Sequence, residues 1–151
     1  MLTAQVESFI QNSDDLRGLV GAHYDKLAMD KDKVPLAPQW DEYFRKEQRG
    51  ELSFVVLRDA GKMVGYWITF IAPGLHYQTC LTAQLDIWNV LPEYEHTEPI
   101  LTLADAVQAE LERRGVNRSL VGEKIHRPCG WVYEHFGYKP VETHYSKWIG
   151  G

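Results

Sequence analysis

Two β-rich runs, ELSFVVLRD (51–59) and KMVGYWITFI (62–71), flank Ala60-Gly61, a hairpin signal that constrains the fold more than any other feature. A third run, CLTAQLDIWNVL (80–91), follows APGLHYQT and extends the pair into a meander. Upstream, TAQVESFI (3–10) alternates as a first strand should. Ser13, Asp14 and Asp15 offer an N-cap and acidic first turn for a helix to about Ala28, with Leu16, Leu19, Val20, Tyr24 and Leu27 at helical spacing. After the polar break MDKDKVPLAP, the segment PQWDEYFRKEQRG reads as a second helix closed by Gly50. Downstream, ILTLADAVQAELERRG places Ile100, Leu103, Ala104, Val107 and Leu111 on one helical stripe. RSLVGEKI reads as a short strand, CGWVYEHFG as a short helix ending at Gly137, and YKPVETHYSKWI as a closing strand. The order β-α-α-β-β-β-α-β-α-β predicts one α/β (mixed α+β) domain over 1–151. Its central sheet is mixed and mostly antiparallel, with helices on both faces.

Composition removes several classes of function. A chain of 151 residues with 44% apolar and 25% charged content can bury one core. The net charge of −5 argues against general nucleic-acid binding. Cys80 and Cys129 make no disulfide framework, and the six histidines show no metal-ligand spacing, so no metal is expected. The N-terminus MLTAQVESFIQNSDD lacks the pattern of a signal peptide and no run is long enough to span a membrane, so a cytoplasmic location is expected.

The chemistry concentrates around LPEYEHTEP (91–99), the turn between the third meander strand and the long helix. A strand–turn–helix junction of this kind suits a phosphate, because the first helical N–H groups are unpaired and the macrodipole is positive there. Such turns are usually rich in glycine, which admits a ligand close to the backbone, and in arginine; this one carries Glu93, Glu95 and Glu98. A carboxylate about 5 Å from a phosphate charge opposes it by roughly 3 kcal/mol at an effective dielectric near 20. Asp86 stands in the apolar strand before the turn, and period two sets it on one face with Gln84, Trp88 and Val90. An acid in such a run is costly unless paired, solvated or functional.

Three patterns resemble the GNAT family of N-acetyltransferases, over nearly the whole chain. WNVLPEYE is similar to the family's fourth strand and turn, V-x-P-x-Y-R, through Val90, Pro92 and Tyr94. VYEHFGY is similar to the Y-E-x-x-G-F that ends its last helix, with Tyr133 at the position of the usual catalytic tyrosine. VVLRDAGKMVGYWI matches the R-D-x-G-x-x-V-G-Y of its second and third strands. LHYQTCLTAQLDIW also resembles small phage-encoded acetyltransferase-like proteins. The departure lies in the pyrophosphate loop, R/Q-x-x-G-x-G/A. Glu95 holds the Arg/Gln position, Glu98 the first Gly and Ile100 the second.

The resemblance implies acetyl transfer from acetyl-CoA to an amine, with a protein lysine or N-terminus as acceptor. Tyr133 would be the acid for the departing thiolate and Asp86 the base for the ammonium. Backbone of Trp88, Asn89, Val90 and Leu91 would hold the pantetheine arm and polarise the thioester carbonyl. The loop of Glu95, His96, Thr97, Glu98 and Ile100 would meet the diphosphate. His76 and Tyr77, between the third and fourth strands, and His144, on the closing strand, are candidates for acceptor binding. Lys124 and Arg127 are candidates for answering phosphate. On sequence, two readings of the loop stand side by side. In one, Thr97 as N-cap and Glu98 in the first turn satisfy the helix themselves, and the chain is an inactive relative that binds and modulates a partner protein. Trp40, Tyr43 and Trp148 would then be its anchors. In the other, weakened coenzyme binding persists through the backbone.

Overall fold

The computed structural model describes Met1–Gly151. Its elements are β1 (Leu2–Val6), α1 (Phe9–Leu27), α2 (Trp40–Gln48), β2 (Leu52–Asp59), β3 (Lys62–Gly74), β4 (Tyr77–Val90), a 3-10 turn (Pro92–Tyr94), α3 (Thr97–Arg113), β5 (Arg118–Leu120) and α4 (Gly130–His135). The five strands form one sheet in sequential order. The first four pair antiparallel, and β4 and β5 pair parallel. The predicted hairpin is present: Ala60 (φ +49°) and Gly61 (φ +85°) both adopt the left-handed region that a tight two-residue hairpin turn requires.

Each face of the sheet carries a core. Val55, Leu57, Val64, Trp67, Ala83 and Val90 pack with the apolar stripe of α3 and with Val132 and Tyr133 of α4. The other face sets Phe54, Val56, Tyr66 and Ile68 against Phe9 and Leu16 of α1, with Trp40, Tyr43 and Phe44 of α2 alongside. This is the mixed, helix-covered sheet expected from the element order.

Three boundaries differ from the sequence reading, each for a physical reason. α1 starts at Phe9, which shortens β1, because Ser8 caps it and Glu47 of α2 accepts from Phe9 N at 2.6 Å and Ile10 N at 2.9 Å. Ser13, expected as the cap, is buried inside the helix. β5 stops at Leu120, since Lys124 and Arg127 then bridge to each other and fold the segment back. The expected closing strand does not form over 138–149. Pro140 has no N–H to donate to a ladder, and Val141, Tyr145 and Ile149 are 78%, 93% and 88% exposed, with no apolar surface to cover.

Candidate active site

The antiparallel register of β4 with β3 breaks near its middle. Ile87 pairs with Ile68 and Leu85 with Thr69, so Asp86 is an extra residue without a partner, a β-bulge. The bulge resets the side-chain alternation beyond it. Trp88 and Val90 pack on the α3/α4 face, whereas the Asp86 carboxylate accepts a 2.6 Å hydrogen bond from the Tyr43 hydroxyl of α2, on the opposite face. The expectation that Asp86 shares a face with Trp88 and Val90 is therefore corrected; period two fails across a bulge. Burial pushes the Asp86 carboxyl above its usual range, against the opposing pull of the Tyr43 hydrogen bond and the Lys46 charge. Tyr43 itself is raised, mainly by burial and by that bond. It is a partner of Asp86, not an exposed anchor.

β4 and β5 are bonded only over Thr82–Gln84 and Arg118–Leu120. Beyond Gln84, β4 loses its β5 neighbour. Leu91 N donates to Val64 O at 2.8 Å, so its N–H is committed to β3 and is removed from the candidates for polarising a carbonyl. By ladder alternation the N–H groups of Trp88 and Val90 face the opposite way, along the edge of β4 that β5 no longer pairs.

Tyr133 reaches the Trp88 side chain on this part of β4 from α4. Its hydroxyl accepts from Trp88 Nε1 at 3.0 Å and donates to Gly122 O at 2.6 Å, and Cys129 Sγ lies 3.5 Å away. Trp67 stacks on Trp88, with centroids 5.0 Å apart, and meets Tyr133 edge-on. Burial, more than the neighbouring Cys129, raises the Tyr133 phenol well above its ordinary value. In this state it is a proton holder.

The turn after β4 is built differently from the self-capped terminus that Thr97 and Glu98 suggested. His96, not Thr97, is the N-cap residue of α3, and it makes no side-chain cap. Glu98 is exposed beside Leu101, Thr102, Asp105, His135 and Phe136, and its carboxylate caps nothing. Ile100 is 7% exposed and points into the core, so it does not obstruct the loop. Glu95 is held between Lys26 of α1 and Arg127 of the β5–α4 segment. Burial would raise its pKa, but Lys26 and Arg127 outweigh that and hold the carboxyl below its usual range. The Asn89 side chain accepts from Lys26 Nζ at 2.8 Å and is thereby turned to the α1 face.

The remaining candidates lie elsewhere. His76 and Tyr77 sit at the far end of the β3–β4 hairpin, about 30 Å of strand from Asp86. Arg118 stacks over the Tyr77 ring there. His144 is on the exposed closing segment, paired only with Glu142 at 3.6 Å. None of the three is bonded to Asp86, Trp88 or Tyr133. Lys26 carries no local signal, since its partner Glu95 stands 69 positions away, and Tyr43 reads as a surface anchor because its partner Asp86 stands 43 positions away.

No protein-family model matches the sequence, and no curated protein is detectably similar to it. Solved structures do match in shape. A ribosomal-protein-alanine N-acetyltransferase from Brucella melitensis biovar Abortus superposes with a TM-score of 0.77 at 15% identity, over 100% of this chain and 99% of that one. An aminoglycoside acetyltransferase from an uncultured soil metagenomic sample gives 0.76 at 12% identity, covering 99% of each chain. Glucosamine-6-phosphate N-acetyltransferase from Arabidopsis thaliana gives 0.69 at 10%, again over 99% of each. The chain has the GNAT acetyltransferase fold.

Proposed function

We propose that the protein transfers an acetyl group from acetyl-CoA to an amine. The observation that supports this most is the unpaired edge of β4: the strand loses β5 after Gln84, leaving the Trp88 and Val90 N–H groups without a strand partner on that side. Tyr133 stands on one face of the sheet near that edge and Asp86 on the other. The pantetheine arm would bond to the free edge of β4. The Val90 N–H would stabilise the developing oxyanion, and the α3 N-terminus would take the diphosphate. The amine nitrogen attacks the thioester carbon, forming C–N as C–S breaks. Asp86, with its raised pKa, accepts the ammonium proton. Tyr133 gives its proton to the departing thiolate, with sulfur replacing Gly122 O as its hydrogen-bond acceptor. A protein lysine or N-terminus is the proposed acceptor, drawn by the acidic surface of a chain with net charge −5.

A second reading is a non-catalytic protein of the same fold that modulates a partner protein. It is favoured by the exposed apolar side chains of the closing segment, Val141, Tyr145 and Ile149. Calorimetric titration with acetyl-CoA, followed by thiol-release assays with amine and peptide acceptors, separates the two. The transferase reading expects micromolar binding and turnover that Tyr133→Phe lowers by about 10²-fold or more, with affinity little changed. Absence of acetyl-CoA binding would overturn it.

A further inference from the structure

Two cations from distant parts of the chain converge on one carboxylate oxygen. Lys26 Nζ and Arg127 Nη2 both contact Oε1 of Glu95, with Arg127 at 3.2 Å from Oε1 and 3.3 Å from Oε2. One carboxylate cancels one of these charges, so the group keeps a net charge of +1. Lys26 does not depend on Glu95 for its position, because the Asn89 amide oxygen, on a residue only 9% exposed, also accepts from Nζ. The Lys26 side chain is 21% exposed, and a partly desolvated ammonium favours a nearby anion. Glu95 lies two positions before α3, whose first N–H groups receive no side-chain acceptor.

We infer that Lys26 and Arg127 form a phosphate-binding pair that Glu95 occupies as a resident anion, so that a diphosphate enters by displacing the Glu95 carboxylate. For acetyl-CoA this inference rests on the coenzyme reading above. A diphosphate carries more charge on more oxygens than a carboxylate and reaches both cations and the α3 donors together. Glu95 is then a competitor supplied by the protein itself. It holds α1 and the β5–α4 segment against the turn while the site is empty and sets a threshold that a singly charged anion does not pass. Glu93, His96 and Glu98 on the turn and Lys124 beside Arg127 are the other charged or titratable side chains near it in sequence.

The test titrates acetyl-CoA and inorganic pyrophosphate separately into the natural protein, Glu95→Gln, and Glu95→Gln combined with Lys26→Met or Arg127→Met. Thermal melts check that each variant is folded. The expected result is that Glu95→Gln binds both probes at least roughly tenfold tighter, more so at low salt, and that either added substitution removes the gain. If Glu95→Gln gains pyrophosphate but neither protein binds acetyl-CoA, the cation pair stands and the coenzyme reading falls. If the natural protein binds acetyl-CoA and Glu95→Gln gains nothing or weakens, the inference is overturned while the coenzyme reading stands. A gain that survives Lys26→Met and Arg127→Met also overturns it.

Discussion

The N-termini of α1 and α3 are opposites. At α1, Ser8 Oγ accepts from Gln11 N, and Glu47 reaches across from α2 to accept from Phe9 N and Ile10 N. Its first residue, Phe9, is fully buried and stacks on Tyr43 at 5.0 Å. At α3, three glutamates lie within six positions, yet none caps the helix. Glu95 is drawn aside by Lys26 and Arg127, and Glu98 and the first residue, Thr97, face solvent. The first helix end is closed by its own chain; the second keeps its donors. Carboxylates near a helix terminus are thus no measure of whether it is capped, because opposite charges elsewhere compete for them.

The contrast can be broken most severely at the first residue of each helix. Phe9→Ala is expected to cost about 3–5 kcal/mol in denaturant unfolding, through the cavity left among Trp40, Tyr43, Phe44 and Phe54. Thr97→Ala at the equivalent place in α3 should stay within about 0.5 kcal/mol.

Acid should act next, through α1. His23 is 4% exposed, bonded by Nδ1 to the Tyr66 hydroxyl at 2.9 Å, and its Nε2 has no partner. Burial, helped by the Lys26 charge, lowers its pKa from 6.5 to about 4. The unfolded chain therefore takes up the proton first as pH falls. Stability present above pH 6.5 is lost progressively down to pH 4, by about 3 kcal/mol. Unfolding curves across that window should show the slope, and His23→Gln should flatten it. A slope unchanged in the variant would remove His23 as its source.

Removing the cap of α1 with Glu47→Ala should lower stability by about 2 kcal/mol without altering acetyl-CoA titrations, since Glu47 lies on α2 and serves only α1. The reverse experiment gives α3 the cap it lacks. His96→Asp should raise stability by about 1 kcal/mol and, on the proposed function, weaken acetyl-CoA binding, because a fixed carboxylate would hold the donors proposed for the diphosphate. Equal or tighter binding by His96→Asp would show that the α3 terminus is not where the diphosphate sits.

Local patterns exposed much of this arrangement. The hairpin at Ala60-Gly61, the stripe of α3, the Val90–Pro92–Tyr94 turn and the place of Tyr133 on a short helix all follow from residues close together in the chain. Asp86 was visible as an acid among apolar residues, yet its direction was not, because the bulge that turns it depends on how β3 pairs with β4. Glu95 was visible as an anomaly, whereas its meaning lies in Lys26 and Arg127. The closing segment shows the converse. Its strand-like alternation is real, but a strand needs an edge and a surface; Tyr138 packs against the core, whereas the exposed Val141, Tyr145 and Ile149 meet neither.

By itself the sequence determined the kinds and order of elements as far as α4, the hairpin turn at Ala60-Gly61, a sheet with helices on both faces, and a turn whose chemistry is acidic. These depend on backbone preference and hydrophobic period, which act over a few residues. Only the tertiary structure decided which face Asp86 serves, which N–H groups of β4 are free, and which carboxylate caps which helix. Those outcomes are settled by competition among charges and hydrogen-bond donors brought together from positions dozens of residues apart, and no local pattern records who wins.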